Sequence, residues 1–165
     1  MRGGEFSPGA VDTILDRLGW HVPYYLDRIA DRALGAQSCS SPVSSAQASA
    51  AVDALLDLSH RPHWTTWREH LDKNFSDPER TRLFAILAAA SSSVEGTTLD
   101  SLRLSLFKGE PVDDCTLGAD LDTLEQDGYL TTNGGSSRFR FRMELLRLWW
   151  QRYVVGRHLQ GGTDG

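Results

Sequence analysis

Three histidines, His60, His63 and His70, lie close together in the chain. Two imidazoles grip one metal from a helix when they stand at i and i+4, with further ligands from elsewhere. Here the spacings are three and seven, and Pro62 interrupts the run. The three therefore read as surface or interhelix histidines, and no metal is expected. Serines cluster around 38–49 and 91–93, but no Gly-x-Ser-x-Gly elbow lifts one of them as a nucleophile. Carboxylates fall singly on helix faces, where solvated surface is their ordinary role. Trp149-Trp150 with Tyr153 offers aromatic area on which a base would stack. Neighbours on a helix point about 100° apart, so at least one of the two tryptophans must face a core, and an exposed remainder is a candidate protein contact. No catalytic constellation emerges. The chain reads as a non-enzyme without a cofactor.

Charge is more informative than nucleophiles. Arg138, Arg140, Arg142, Arg147, Arg152 and Arg157 face one acid, Glu144, in the stretch from 138 to 157. Such a run either neutralises acids elsewhere in its own domain or forms an anion-facing stripe. Arg138, Arg140, Arg142 and Arg147 are its candidate nucleic-acid or anion contacts. The stretch 110–127 is its opposite: Glu110, Asp113, Asp114, Asp120, Asp122, Glu125 and Asp127, with no lysine or arginine. With Leu117, Leu121 and Leu124 inward, a helix there turns Cys115, Gly118, Ala119, Asp122, Glu125 and Gln126 outward. Pressing that face into a phosphate-lined groove is repulsive. Asp122 and Glu125 are therefore candidate protein contacts.

The chain has 165 residues, a net charge of -5 and a hydrophobic share of 40%. That is enough to bury a core without disulfides or metal. The negative charge disfavours general attraction to nucleic acid or anionic membranes. Cys39 and Cys115 are isolated and read as reduced thiols of a cytoplasmic protein. No apolar run approaches a membrane span, and no secretory leader opens the chain.

The elements that position these groups follow from punctuation and period. Ser7-Pro8 starts a helix whose inward residues are Val11, Ile14, Leu15 and Leu18, and Gly19 stops it. Pro23 opens a second helix, with Leu26, Ile29, Ala30 and Ala33 inward, ending at Gly35. A polar loop over 36–45 precedes a helix from about 46 to 58, with Ala48, Val52, Leu55 and Leu56 inward. Trp64, Trp67 and Leu71 share one face of a linking helix. Asp77-Pro78 reads as an N-cap and first turn for a helix with Leu83, Phe84, Leu87 and Ala90 inward. Thr98 caps the next, with Leu99, Leu102 and Leu106 inward. A helix over about 114–126 follows, stopped by Gly128. Residues 130–132 and 138–141 form a hairpin across 133–137, and a final helix covers about 143–157. The expected fold is mainly α. Residues 1–7 are expected to lie outside it, 8–60 to form a small helical bundle, 61–75 a linking helix, 76–157 a helical domain with a β-hairpin wing, and 158–165 a disordered tail.

Two stretches carry a family resemblance. Leu18-Gly19-Trp20-His21-Val22-Pro23-Tyr24-Tyr25-Leu26 resembles the start of the helical lid in bacterial and archaeal ATPases of the AAA+/STAND group. Leu124-Glu125-Gln126-Asp127-Gly128-Tyr129-Leu130, then Phe139-Arg140-Phe141, then Leu145-Leu146-Arg147-Leu148-Trp149-Trp150 resembles the winged helix that follows that lid. The resemblance implies a lid-like bundle and a winged helix that pack on a nucleotide-binding core and report its state. It also implies that Pro23 lies near an adenine and His21 near a phosphate when such a core is docked. The P-loop, Gly-x-x-x-x-Gly-Lys-[Ser/Thr], is missing from this sequence, so the chain resembles the C-terminal part of such an ATPase without its engine. The expectation is a regulatory or protein-interaction module whose partner is an ATPase core or another protein. A winged-helix DNA-binding regulator is the alternative. The oligomeric state stays open.

Overall fold

The computed structural model describes residues 5–36, 41–57, 61–106, 112–132 and 137–156, without the side chains of 61–63 and 105–106. The chain divides into two compact units, residues 1–62 and 63–165. Described residues are mainly helical, with one small antiparallel sheet, as the sequence leads one to expect. No helix among them is long and apolar enough to cross a membrane.

The first unit holds α1 (Pro8–Leu18), α2 (Pro23–Gly35) and α3 (Ser45–Ala54). The Ser7 hydroxyl accepts the Ala10 N–H at 3.2 Å, and proline stands in the first turn of α1, where its missing N–H costs nothing. Gly19 ends the helix with φ 74, a conformation that glycine adopts without a Cβ clash. Ser44 and Gln47 close a reciprocal capping box on α3. The core joins Ala10, Ile14 and Leu18 to Tyr25, Ile29 and Ala33, and to Ala48, Ala51 and Val52.

The buried stripe of α1 is turned by about one residue from the expected one. Ala10 is buried and Val11 is 42% exposed. The cause is the neighbour: α3 presents alanines, and small residues on both helices let the backbones approach. A Cβ on Gly9 would stand 3.0 Å from the Ser45 hydroxyl. The helix from 46 to 58 ends early, at Ala54, yet Leu55 and Leu56 stay buried in the turns that follow. Phe6, set aside with the terminal residues, forms a parallel bridge with Val43, and Val43 is fully buried.

The second unit contains α4 (Arg61–Asn74) except its first two residues, then α5 (Glu79–Ser91), β1 (Thr97–Thr98), α6 (Leu99–Leu106), α7 (Asp114–Gln126), β2 (Leu130–Thr132), β3 (Arg138–Phe141) and α8 (Glu144–Trp149), which continues as a π-helical segment, Trp150–Val155. The strand order is β1-β3-β2, all antiparallel, with Thr97 opposite Phe139 and Leu130 opposite Phe141. Strand β1 is unexpected, since two residues are too few to show a period. Gly96 makes it possible. Its φ is 75, and a Cβ there would come within 2.1 Å of the Phe139 carbonyl oxygen. Thr98 caps α6 as expected, accepting the Ser101 N–H at 3.1 Å.

Helix α5 starts one residue later than the Asp77-Pro78 pairing suggests, with Pro78 at the N-cap. The Asp77 carboxylate instead accepts from the Thr81 hydroxyl and the Arg80 guanidinium, both at 2.7 Å, and these two contacts hold its pKa below the usual range. The end of α7 is a Schellman turn: Gly128 N–H bonds Glu125 O, and Tyr129 N–H bonds Leu124 O. The core gathers Leu83, Ile86 and Leu87, Leu102, Leu117, Leu121 and Leu124, then Tyr129, Phe141, Leu145, Leu146, Trp149 and Trp150.

Candidate interaction surface

Helix α7 is positioned from both ends and from behind. Asp113 caps it, accepting the Thr116 hydroxyl at 2.7 Å and the Thr116 N–H at 3.0 Å, which lowers the Asp113 pKa. Leu117, Leu121 and Leu124 lock its inner face. Asp120, one of the seven acids of the stretch, is not on the surface: it is 3% exposed and forms a two-pronged ion pair with Arg82 of α5, at 2.6 and 3.0 Å. That carboxylate raises the Arg82 pKa. An acid fits this inward position because a planar guanidinium on the neighbouring helix meets both its oxygens. Asp113, Asp114, Cys115, Ala119, Asp122 and Gln126 are exposed, Glu125 is half-buried, and Glu110 lies outside the described residues. The outward face of α7 is thus acidic and carries no cation.

The arginine run separates into different roles. Arg138, Arg140 and Arg142 are exposed on and just beyond β3. Alternation along the strand puts Arg138 and Arg140 on the face opposite Phe141, which is buried. Arg147 does not belong with them. It is 6% exposed, bridges Glu144 through two nitrogens at 2.7 and 2.8 Å, and donates to the Ser91 carbonyl at 2.7 Å. It ties α8 to the end of α5, and the Glu144 carboxylate raises its pKa. A guanidinium so enclosed is no anion contact. Arg157 lies outside the described residues.

Trp149 and Trp150 are likewise enclosed and offer no surface for a contact. They are 2% and 0% exposed. Trp150 sits among Phe84, Tyr129 and Phe141, with ring centroids 5.5 to 6.2 Å apart. The π-helical segment begins at Trp150 and follows directly on Trp149, so its wider turn displaces the residues after the pair from an α-helical path. Both rings lie inward although they are neighbours in the chain. In the first unit, His21 and Pro23 are both exposed, Pro23 as the first residue of α2.

A feature that sequence reasoning missed lies between α4 and the end of α7. Thr66, Trp67, His70, Asp127 and Tyr129 line a shallow cleft of about 260 Å³. His70 Nε2 stands 3.1 Å from Asp127 and Nδ1 stands 2.9 Å from the Asn74 amide. With that amide donating to Nδ1, Nε2 holds the proton and donates to Asp127. Both ring nitrogens are then engaged. The Tyr129 hydroxyl donates to the Trp67 carbonyl at 2.5 Å, and burial, helped by the charge of Asp127, pushes its pKa well up. These are the bonds of a clamp that fixes α4 to the α7 terminus. The His70–Asn74 spacing of i, i+4 was the one local signal, but Asp127 is distant in sequence. His60 and the side chain of His63 lie outside the described residues. No group of three metal-ligating side chains occurs among the described ones.

No family model, curated protein or solved structure matches this chain.

Proposed function

We propose that the second unit is a winged helix that faces protein, and that the chain is a non-enzymatic regulatory or interaction module of the kind that follows the nucleotide-binding core in STAND-type ATPases. The order helix, short strand, two helices, hairpin and helix, with β3 between β1 and β2, supports the winged-helix reading. In that reading α7 stands in the recognition position. The observation that carries the functional conclusion is its outward face: Asp113, Asp122 and Glu125, with no lysine or arginine on the helix and Asp114 paired with Arg103 of α6. DNA affinity comes largely from cations that displace counterions, and carboxylates read cytosine only after cations have supplied that affinity. Arg138 and Arg140 favour the second reading, a DNA-binding regulator that grips the backbone through its wing.

Fluorescence anisotropy on random and operator-like duplexes at two salt concentrations separates the two. The protein-facing reading expects binding that is weak, indifferent to sequence, steeply reduced by salt and lost in Arg138→Ala/Arg140→Ala. Tight, sequence-selective binding that disappears on changing Cys115, Ala119, Asp122 or Gln126 would replace it with the regulator.

A further inference from the structure

We propose that the second unit binds a second copy of this chain through complementary charges, Arg138 and Arg140 of one copy meeting Asp122 and Glu125 of the other. The proposal rests on reading α7 as a protein-facing helix, and it names the partner. Most other arginines of this unit are neutralised at home. Arg68 pairs with Asp72, Arg80 with Asp77, Arg82 with Asp120, Arg103 with Asp100 and Asp114, and Arg147 with Glu144. Arg138 and Arg140 have no ion-pair partner among the described residues, and their cross-strand neighbours are Thr98 and Thr131, which carry no charge.

Asp122 and Glu125 are likewise without a partner among the described residues. Positions i and i+3 share a helix face, with Cβ atoms about 5–6 Å apart. Positions i and i+2 share a strand face, about 6.6–6.8 Å apart. Two carboxylates on one helix face and two long guanidinium arms on one strand face therefore match in number, sign and spacing. The chain's net charge of -5 opposes indiscriminate association between copies, so contact requires this local reversal of sign. Every copy carries both halves. A two-fold arrangement forms the contact twice and closes, whereas a head-to-tail arrangement forms it once per junction and continues. Exposed ion pairs are individually weak and screened by salt, so the association is weak and salt-sensitive.

Sedimentation equilibrium of the whole chain, in a concentration series reaching the millimolar range, tests this. At low salt the average mass should rise with concentration above the 18.3 kDa of one chain, and at high salt it should stay there. Arg138→Glu/Arg140→Glu and Asp122→Lys/Glu125→Lys should each remain monomeric, and mixing the two should restore association. If a charge reversal disturbs folding, as read by circular dichroism, Asp122→Asn/Glu125→Gln should still remain monomeric at low salt. A chain that stays monomeric at low salt throughout the series overturns the proposal, as does association that survives these substitutions. A monomer that binds duplex tightly and sequence-selectively, with Arg138 and Arg140 required, also overturns it, and assigns those arginines to nucleic acid. The anisotropy experiment judges the protein-facing reading separately, so failure of the contact between copies is distinguishable from failure of that reading.

Discussion

The two units reach stability by different packing. The first interleaves alanines with aliphatic side chains: Ala10, Ala33, Ala48 and Ala51 are buried beside Ile14, Leu18, Ile29 and Val52, and its buried residues include no charged one among those described. Its helices hold together by close backbone approach. The second is assembled around large rings, Trp64, Tyr129, Trp149 and Trp150, and encloses the charged side chains Asp120 and Arg147. Rings fill more volume per residue but leave irregular space at their edges. Ion pairs and hydrogen bonds then fix which way each helix is turned. An alanine seam is intolerant of added volume, whereas an aromatic core is intolerant of removed volume.

Emptying the second core is the largest test of that contrast. Trp150→Ala should destabilise it by about 3–5 kcal/mol, the range for truncating a packed aromatic. Urea denaturation followed by circular dichroism measures it, and a variant that unfolds with its parent would show that the rings are dispensable. Removing an enclosed acid comes next. Asp120→Ala strands the Arg82 guanidinium, which is 19% exposed and so partly recovers water. The cost should be about 2–3 kcal/mol. A loss of a few tenths would mean that Arg82 swings out freely and that α7 is held by its leucines alone.

Overfilling the first unit gives the converse. Ala48→Leu should cost about 1–3 kcal/mol, because the α1–α3 seam leaves no room for three extra carbons. A thermal melt at the parent value would show that this seam yields and that the contrast is weaker than drawn. The smallest effect has the opposite sign. Gly118 lies inside α7, and a Cβ there meets nothing within 4 Å. Gly118→Ala should therefore stabilise the second unit by about 0.5–1 kcal/mol, the cost of glycine in a helix interior. Gly96→Ala should instead destabilise, since its φ is 75 and the Phe139 backbone occupies the space. Equal effects at the two glycines would contradict the strand pairing described for β1.

Much of the fold was legible along the chain. Ser7-Pro8, Gly19, Pro23 and Gly128 act on the backbone within a turn or two, so helix ends at these points need no distant partner. The hairpin strands 130–132 and 138–141 were readable from β-propensity and alternation. The candidate surface was half legible. Leucine spacing identified the outward face of α7 and left Asp120 off it, but no local rule named Arg82 as the partner of Asp120 or separated the enclosed Arg147 from the exposed Arg140.

By itself, the sequence determined where the helices start and stop, that the fold is mainly α, and that the outward face of α7 is acidic. These depend on dihedral preferences, caps and periodicity, which act over a few residues. Tertiary structure alone decided which charges remain available. Arg82 reaches Asp120 across 38 positions, and Arg147 reaches the Ser91 carbonyl across 56. It also turned α1 towards Ala10, buried both tryptophans, and joined His70 to Asp127. An ion pair forms where two side chains meet in space, and separation along the chain carries no record of that distance.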